Sequence, residues 1–439
     1  MFGTLMTSRR FAPLFWCQFL SAFNDNFVRQ MLVMLILFRF GGGDAGAKVT
    51  LAIGVFILPS LFLSALGGEL ADSHDKAIIA RRLKFAEIFV QLVAAGGFWL
   101  ASLPTLYAAL LGLGVISALF GPIKYGILPD QLRREELVAG NALVEGATFA
   151  AILCGLIAGG FAAAEGRAAW TVALQLALVG LACWGASGFI PRTGVGAPGL
   201  AVNPNPFAST REILRELRRD DRQWVGGAAV SWFWLVGAVS LSLVPVVVKS
   251  RIGAGIEVET AINMLFAVGI AVGSLLAAIL AHGRIQLAPA PYLLIAIGAV
   301  LIDLGVATGA LPQATIEIGL VAFFSRGAGL HLVVDILALS ALSGLFVVPV
   351  FAAVQAWAGE ERRARVIGAV NTLNAAYMVA GSLATSVLLK VAGLDESSTL
   401  ALLGGATILA AVYLFRRLPK SSTALARAAH SGAAQSPEF

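Results

Sequence analysis

Inside an apolar run near the start of the chain, Gln18, Asp25 and Arg29 recur at spacings of seven and four. On a helix those spacings put all three on one stripe, and Asp25 and Arg29, at i and i+4, come within reach of one another. Asn24 and Asn26 flank the acid. Further on, Lys124 is followed by Tyr125, Asn141 and Glu145 stand four apart, and Asp303 has only apolar neighbours. Gln355 closes another apolar run, and Asn371 and Asn374 share the next. Cations of this kind meet phosphate, carboxylates meet an ammonium, a sodium ion or a proton, and amides bridge helices. Glu145 is expected to pair with a cation on a neighbouring helix. Cys17, Cys154 and Cys183 lie far apart with no CxxC spacing, and His74, His282, His331 and His430 offer no ligand pair at helical spacing. That pattern predicts neither a disulfide framework nor a metal site, and no cofactor.

The elements that hold these residues follow from composition. Of 439 residues 58% are hydrophobic and 13% charged, with a mean hydropathy of +0.86. Soluble domains carry about 25% charged residues, so the apolar excess here must face lipid. A charge in mid-membrane costs about 3 kcal/mol on insertion scales. The polar residues above are therefore expected to face the protein interior. Runs of the roughly 20 apolar residues that a spanning helix needs cover 11–38, 48–71, 82–102, 105–128, 138–163 and 168–190. After a break come 223–249, 258–281, 289–309, 333–356, 364–390 and 397–416. Most lysines and arginines, among them Arg9, Arg10, Lys76, Lys84, Arg133, Arg215 and Arg363, fall in segments on the side of the N-terminus. The positive-inside rule then predicts both ends in the cytoplasm. The net charge of +6 and pI near 9.5 thus belong to membrane topology and not to nucleic-acid binding.

The break is rich in Pro, Gly and Asn and ends in a charged stretch, Arg211–Gln223, that reads as a short helix. The expected architecture is an all-α polytopic membrane protein with twelve transmembrane helices in two six-helix bundles. Residues 1–190 form the first bundle, 191–222 a cytoplasmic linker, 223–418 the second bundle and 419–439 a disordered tail. The tail ends in Ser-Pro-Glu-Phe, which reads equally as a cloning scar, with a natural chain that continues further.

Beyond the second run stands Gly68-Glu-Leu-Ala-Asp72-Ser-His-Asp75-Lys76, with Arg81 and Arg82 following. It resembles the loop of major facilitator proteins that begins Gly-x-Leu-Ala-Asp, with Asp75 where a second glycine is usual. A carboxylate there can cap a facing helix N-terminus and meet basic residues, locking two halves in one state. Gly68, Asp72, Lys76 and Arg81 are therefore gate candidates.

Residues 18–30 (QFLSAFNDNFVRQ), 122–132 (PIKYGILPDQL), 136–160 and 344–355 resemble the bacterial lysophospholipid transporters of that superfamily. Residues 231–245 are more similar to the transporter module fused to a 2-acylglycerophosphoethanolamine acyltransferase and acyl-carrier-protein synthetase. The resemblance implies a monomeric flippase of the bacterial inner membrane. It would move lysophosphatidylethanolamine and lysophosphatidylglycerol inward by alternating access, for reacylation by a fused or separate acyltransferase. By motif, Asp25 and Lys124 match polar positions of the transport path. The stand-alone transporters carry a basic residue on span seven where Leu241 stands here, which leaves Arg29 as a substitute cation one helix away. Phe19, Phe23, Phe27, Phe149 and Trp234 would supply apolar wall for one acyl chain. The coupling ion, sodium or proton, stays open. Two other readings also stand: an exporter of drugs or siderophores, and a membrane module that docks a cytosolic acyltransferase.

Overall fold

The computed structural model describes residues 2–36, 45–164, 169–203, 205–253, 256–282, 284–316, 318–359 and 362–418. The expected tail, 419–439, lies outside them. Among the described residues the chain forms α1 (Phe2–Thr7), α2 (Ala12–Leu35), α3 (Ala45–Ser73), α4 (Lys76–Trp99), α5 (Leu103–Gln131), α6 (Leu137–Ala164) and α7 (Ala169–Gly188). Then follow α8 (Pro206–Leu217), α9 (Asp221–Val247), α10 (Ile256–Ala281), α11 (Ala290–Gly309), α12 (Leu320–Ser325), α13 (Gly327–Trp357), α14 (Arg363–Lys390) and α15 (Glu396–Arg417).

The three shorter helices are α1, α8 and α12; the other twelve coincide with the twelve apolar runs. Among the described residues ten helices are long and apolar enough to cross a membrane, so the chain is a multi-pass membrane protein. The remaining two long helices, α2 and α4, carry Gln18, Asp25 and Arg29, and Lys76, Arg81, Arg82, Lys84 and Glu87 respectively. Large apolar side chains such as Trp99, Phe161, Trp170 and Leu178 stand exposed, as a surface bathed in lipid requires.

Two groups of helices are evident in the packing. In the first, α2 lies on α6 and α7, α3 on α5, and α4 on α5 and α7. In the second, α10 lies on α13, α11 on α15 and α13, and α9 on α14. The groups meet where α14 crosses α3 and α5 and where α6 runs along α10 and α13. Small residues permit the tightest crossings. On α6, a Cβ added to Gly159 would come within 2.8 Å of the Phe27 carbonyl oxygen, and one on Gly155 would collide with that of Phe23. A Cβ on Gly68 of α3 would sit 2.7 Å from the Ala364 oxygen.

The short charged helix begins five residues before the expected Arg211 and stops at Leu217. Asn205 caps it, accepting from the Phe207 and Ala208 amides at 3.1 and 3.3 Å, and Pro206 takes the first helical position. Both are strong start signals. Asp220 accepts from the Arg222 amide at 2.9 Å and so starts α9 instead of letting α8 run on. Asp395 caps α15 through the Ser398 amide at 2.9 Å and pairs with Arg251 at 2.6 Å. The Ser398 bonds, with Arg251 adding to them, hold the Asp395 carboxyl below the usual carboxylate range.

Candidate functional site: a charged cluster in the first helix group

Asp25 is buried on α2. It accepts no hydrogen bond from any described residue, yet lies within electrostatic reach of Glu87, Lys84, Arg29 and Lys124. The close Asp25–Arg29 pair suggested by their spacing is not formed. The Arg29 guanidinium donates to the Asn26 side-chain oxygen one turn below and lies 6.0 Å from the centre of the Phe56 ring on α3. Its long side chain leans back toward the helix N-terminus, which brings Asn26 within its reach, while Asp25 stays inside the electrostatic field of the cations on α4 and α5.

Lys84 and Glu87 on α4 form the tightest ion pair of the cluster, 2.6 Å, with both side chains sealed from solvent. Lys84 also donates to Ser21 on α2 at 2.6 Å and sits 3.9 Å above the Phe120 ring. Ser21 and Gln91 both donate to Glu87, at 3.3 Å each. In the sequence Lys84 reads as part of a cytoplasmic segment, and Glu87 does not stand out. The available signal was the recurrence of Lys84, Glu87 and Gln91 at i, i+3 and i+7, one face of a helix. It was masked by Arg81 and Arg82, which make the stretch read as a solvated loop.

Lys124 on α5 has no carboxylate within ion-pairing distance among the described residues. Its ammonium lies 4.7 Å from the Tyr125 ring centre, within the field of Glu145 and Asp25. Glu145 on α6 does not take the cation expected for it. One carboxylate oxygen accepts the Tyr125 hydroxyl at 2.6 Å, and the other is buried with no partner. Arg29, Lys84 and Lys124 thus face Asp25, Glu87 and Glu145, three charges of each sign on four helices of the first group.

The amides do other work. Gln18 accepts from Thr148 at 3.1 Å across α2 and α6. Asn141 and Gln355 exchange two hydrogen bonds, 2.9 and 2.8 Å, and join α6 to α13. Asn374 accepts from Ser231 at 2.8 Å. The Asn371 amide packs on Gly121 of α5. Asn24 is buried with neither polar atom hydrogen-bonded among the described residues. Aromatic rings adjoin the charges. Tyr125 meets Phe351 edge-on at 4.6 Å, and Phe149 stacks with Trp234 at 6.2 Å beside Phe233.

At one end of the cluster's helices the gate candidates close on α14. The fully buried Asp72 accepts from the Ala364 and Arg365 amides at 3.0 and 2.9 Å, capping the first turn of that helix. Lys76 pairs with Asp130 at 2.9 Å, and Asp130 pairs with Arg363 at 2.8 Å. Asp75 caps α4 and also accepts from Gly194, tying the linker down. Arg81 is not part of this arrangement. Five residues beyond Lys76 it points about 140° away around the helix and donates to the Gly188 carbonyl at the end of α7.

Residues 14–340 match the Major Facilitator Superfamily. The lysophospholipid transporter LplT of Cronobacter sakazakii is 30% identical over 83% of this chain and 84% of its own length. That of Pectobacterium carotovorum is 31% identical over 62% of this chain, which spans 65% of the relative's length. Among solved structures, the human organic anion transporter MFSD10 superposes with a TM-score of 0.72 at 15% identity, covering 92% of this chain and 99% of its own. A bacterial homologue of the iron transporter ferroportin gives 0.65 at 17% identity, covering 92% and 98%. The fold and the family match define a transporter of the major facilitator class. The chain belongs to the Major Facilitator Superfamily and, within it, to the lysophospholipid transporter family.

Proposed function

We propose that the chain moves lysophospholipids, lysophosphatidylethanolamine and lysophosphatidylglycerol, across the bacterial inner membrane for reacylation by a separate or fused acyltransferase. The observation that carries this reading is Lys124, an ammonium without an ion-pair partner among the described residues, set in the field of Glu145 and Asp25 and beside the Tyr125 ring. A lysophospholipid has a phosphate that needs a cation, an ammonium or glycerol that needs acceptors, and one acyl chain that needs apolar surface. Lys124, with Arg29 behind it, suits the phosphate. Asp25 and the unpartnered oxygen of Glu145 suit an ammonium. Phe149, Phe233 and Trp234 suit the chain. Gln18, Asn24, Tyr125 and Asn141 position these groups, and Asn371 and Asn374 line the second group's side.

Transport then runs by alternating access between two bundles, 1–190 and 223–418, joined by the linker 191–222, in a monomer with both termini cytoplasmic. Asp72, Gly68, Lys76 and Asp130 hold the cytoplasmic side shut in the state described above. Asp25 and Glu145 are the groups that would carry a coupling sodium ion or proton.

Spheroplasts that make this chain are expected to accumulate labelled lysophosphatidylethanolamine, with unlabelled lysophosphatidylglycerol competing and a cationic dye left unextruded. Dye extrusion without lipid uptake contradicts the proposal and favours an exporter.

A further inference from the structure

Asp303 has only apolar neighbours in sequence but not in space. On α11 it falls on the same outward stripe as the exposed Tyr292, Ile295 and Val306. There it meets two residues of α13. His331 Nε2 lies 2.9 Å from Asp303 Oδ2 and 3.6 Å from Asp335 Oδ2. One donor atom from each of the three residues falls within 4.8 Å of the others.

The three groups cannot satisfy one another while both carboxyls are ionised. A neutral imidazole has a single N–H, and His331 spends it on Asp303 when Nε2 carries the proton. Asp335, 5% exposed, points at the same nitrogen and otherwise meets only the Asp303 carboxyl as a side-chain hydrogen-bond partner among the described residues, a bond that two carboxylates can share only by holding a proton between them. A buried carboxylate is costly unless a charge or a hydrogen bond meets it. Among the described residues the charged groups acting on it are His331 and Asp303, and the second of these is another anion when ionised. The site lies shallow. Asp303 is six residues before the end of α11 and His331 four residues after the start of α13, which places them about 9 Å and about 6 Å inside the helix ends at 1.5 Å per residue. Asp303 and His331 are both about half exposed, so the site can be reached from that end.

From this arrangement we infer a binding site for a zinc-class divalent ion, held by His331 Nε2 and one carboxylate oxygen each from Asp303 and Asp335. Bonds of about 2.0–2.2 Å in tetrahedral geometry put neighbouring donor atoms about 3.3–3.5 Å apart. The observed separations, 2.9 and 3.6 Å, bracket that value, so small side-chain rotations suffice. The ion takes the Nε2 lone pair of a neutral imidazole whose single proton shifts to Nδ1, an imidazolium releasing its second proton to water, and its charge neutralises both carboxylates. Water fills the fourth position from the open side. Bound there, the ion staples α11 to α13 at the end of the bundle remote from Asp72 and Asp130. The mixed nitrogen and oxygen donor set favours zinc and its neighbours over magnesium or calcium.

The test uses the purified full chain, freed of any affinity tag, in lipid nanodiscs, with zinc as the probe. Equilibrium dialysis should give one zinc per chain that excess magnesium does not displace. His331→Ala and Asp335→Asn should each weaken that binding by at least about tenfold, the scale on which even outer-shell changes act. His282→Ala, at a histidine outside the cluster, should bind as the parent does. Zinc should also raise the melting temperature of the parent but not of Asp303→Asn, a half-exposed position where the substitution leaves the core intact. Absence of zinc binding by the parent, or equal binding by parent and His331→Ala, would overturn the inference.

Discussion

Lys84 and Glu87 form an ion pair 2.6 Å apart inside the protein. Both are sealed from solvent, and Ser21 and Gln91 satisfy what the pair leaves over. Removing one partner of a buried pair strands the other and costs about 3–5 kcal/mol, whereas replacing both with apolar residues of like volume is often neutral. Glu87→Gln is therefore expected to lower stability by an amount of that order, read by denaturant unfolding in detergent. Lys84→Met with Glu87→Leu should recover most of the loss. Equal destabilisation by the single and the double change would show that the pair is not the source. At this level the sequence was legible where a charge stood alone in an apolar run, as Asp25, Lys124 and Glu145 do. It misled at Lys84, whose neighbours Arg81 and Arg82 look like a loop, and at Asp303, whose partners His331 and Asp335 come from another helix. Partners on different helices leave no mark in local spacing.

Among the elements, α3 and α14 show how one carboxylate organises a crossing. Gly68 lets the backbones touch, and Asp72 caps α14 from outside that helix. Loss of a cap costs about 1 kcal/mol, and here it also loosens the contact between the two helix groups. In a background with Cys17, Cys154 and Cys183 replaced by serine, Ser64→Cys places a thiol at this crossing, where Ser64 is 1% exposed. Adding Asp72→Ala should make that thiol react several-fold faster with a water-soluble maleimide. An unchanged rate would mean that Asp72 does not hold the crossing closed. The twelve long helices were legible because apolar runs of spanning length have few alternatives. The linker helix is offset from its charged stretch because Asn205 and Pro206 start it earlier and Asp220 begins α9 before that stretch ends.

Where the two groups meet, the molecule sets the buried charges of the first, three of each sign, beside apolar side chains of the second, with Tyr125–Phe351, Phe149–Trp234 and Asn141–Gln355 crossing between them. Composition alone shows a protein made for lipid surroundings; it does not show this asymmetry, which depends on which helix faces which. A polar headgroup on one side and an acyl chain on the other would use both surfaces at once. The most direct test is transport by the purified chain in proteoliposomes, following fluorescent lysophosphatidylethanolamine from the outer to the inner leaflet. The parent should move it well above protein-free vesicles. Lys124→Ala should slow it about tenfold or more, since a hydrogen bond to a charged group contributes about 1.5–3 kcal/mol, while folding to the same monodisperse species. Movement no faster than in empty vesicles, or a Lys124→Ala rate equal to the parent's, would contradict the account.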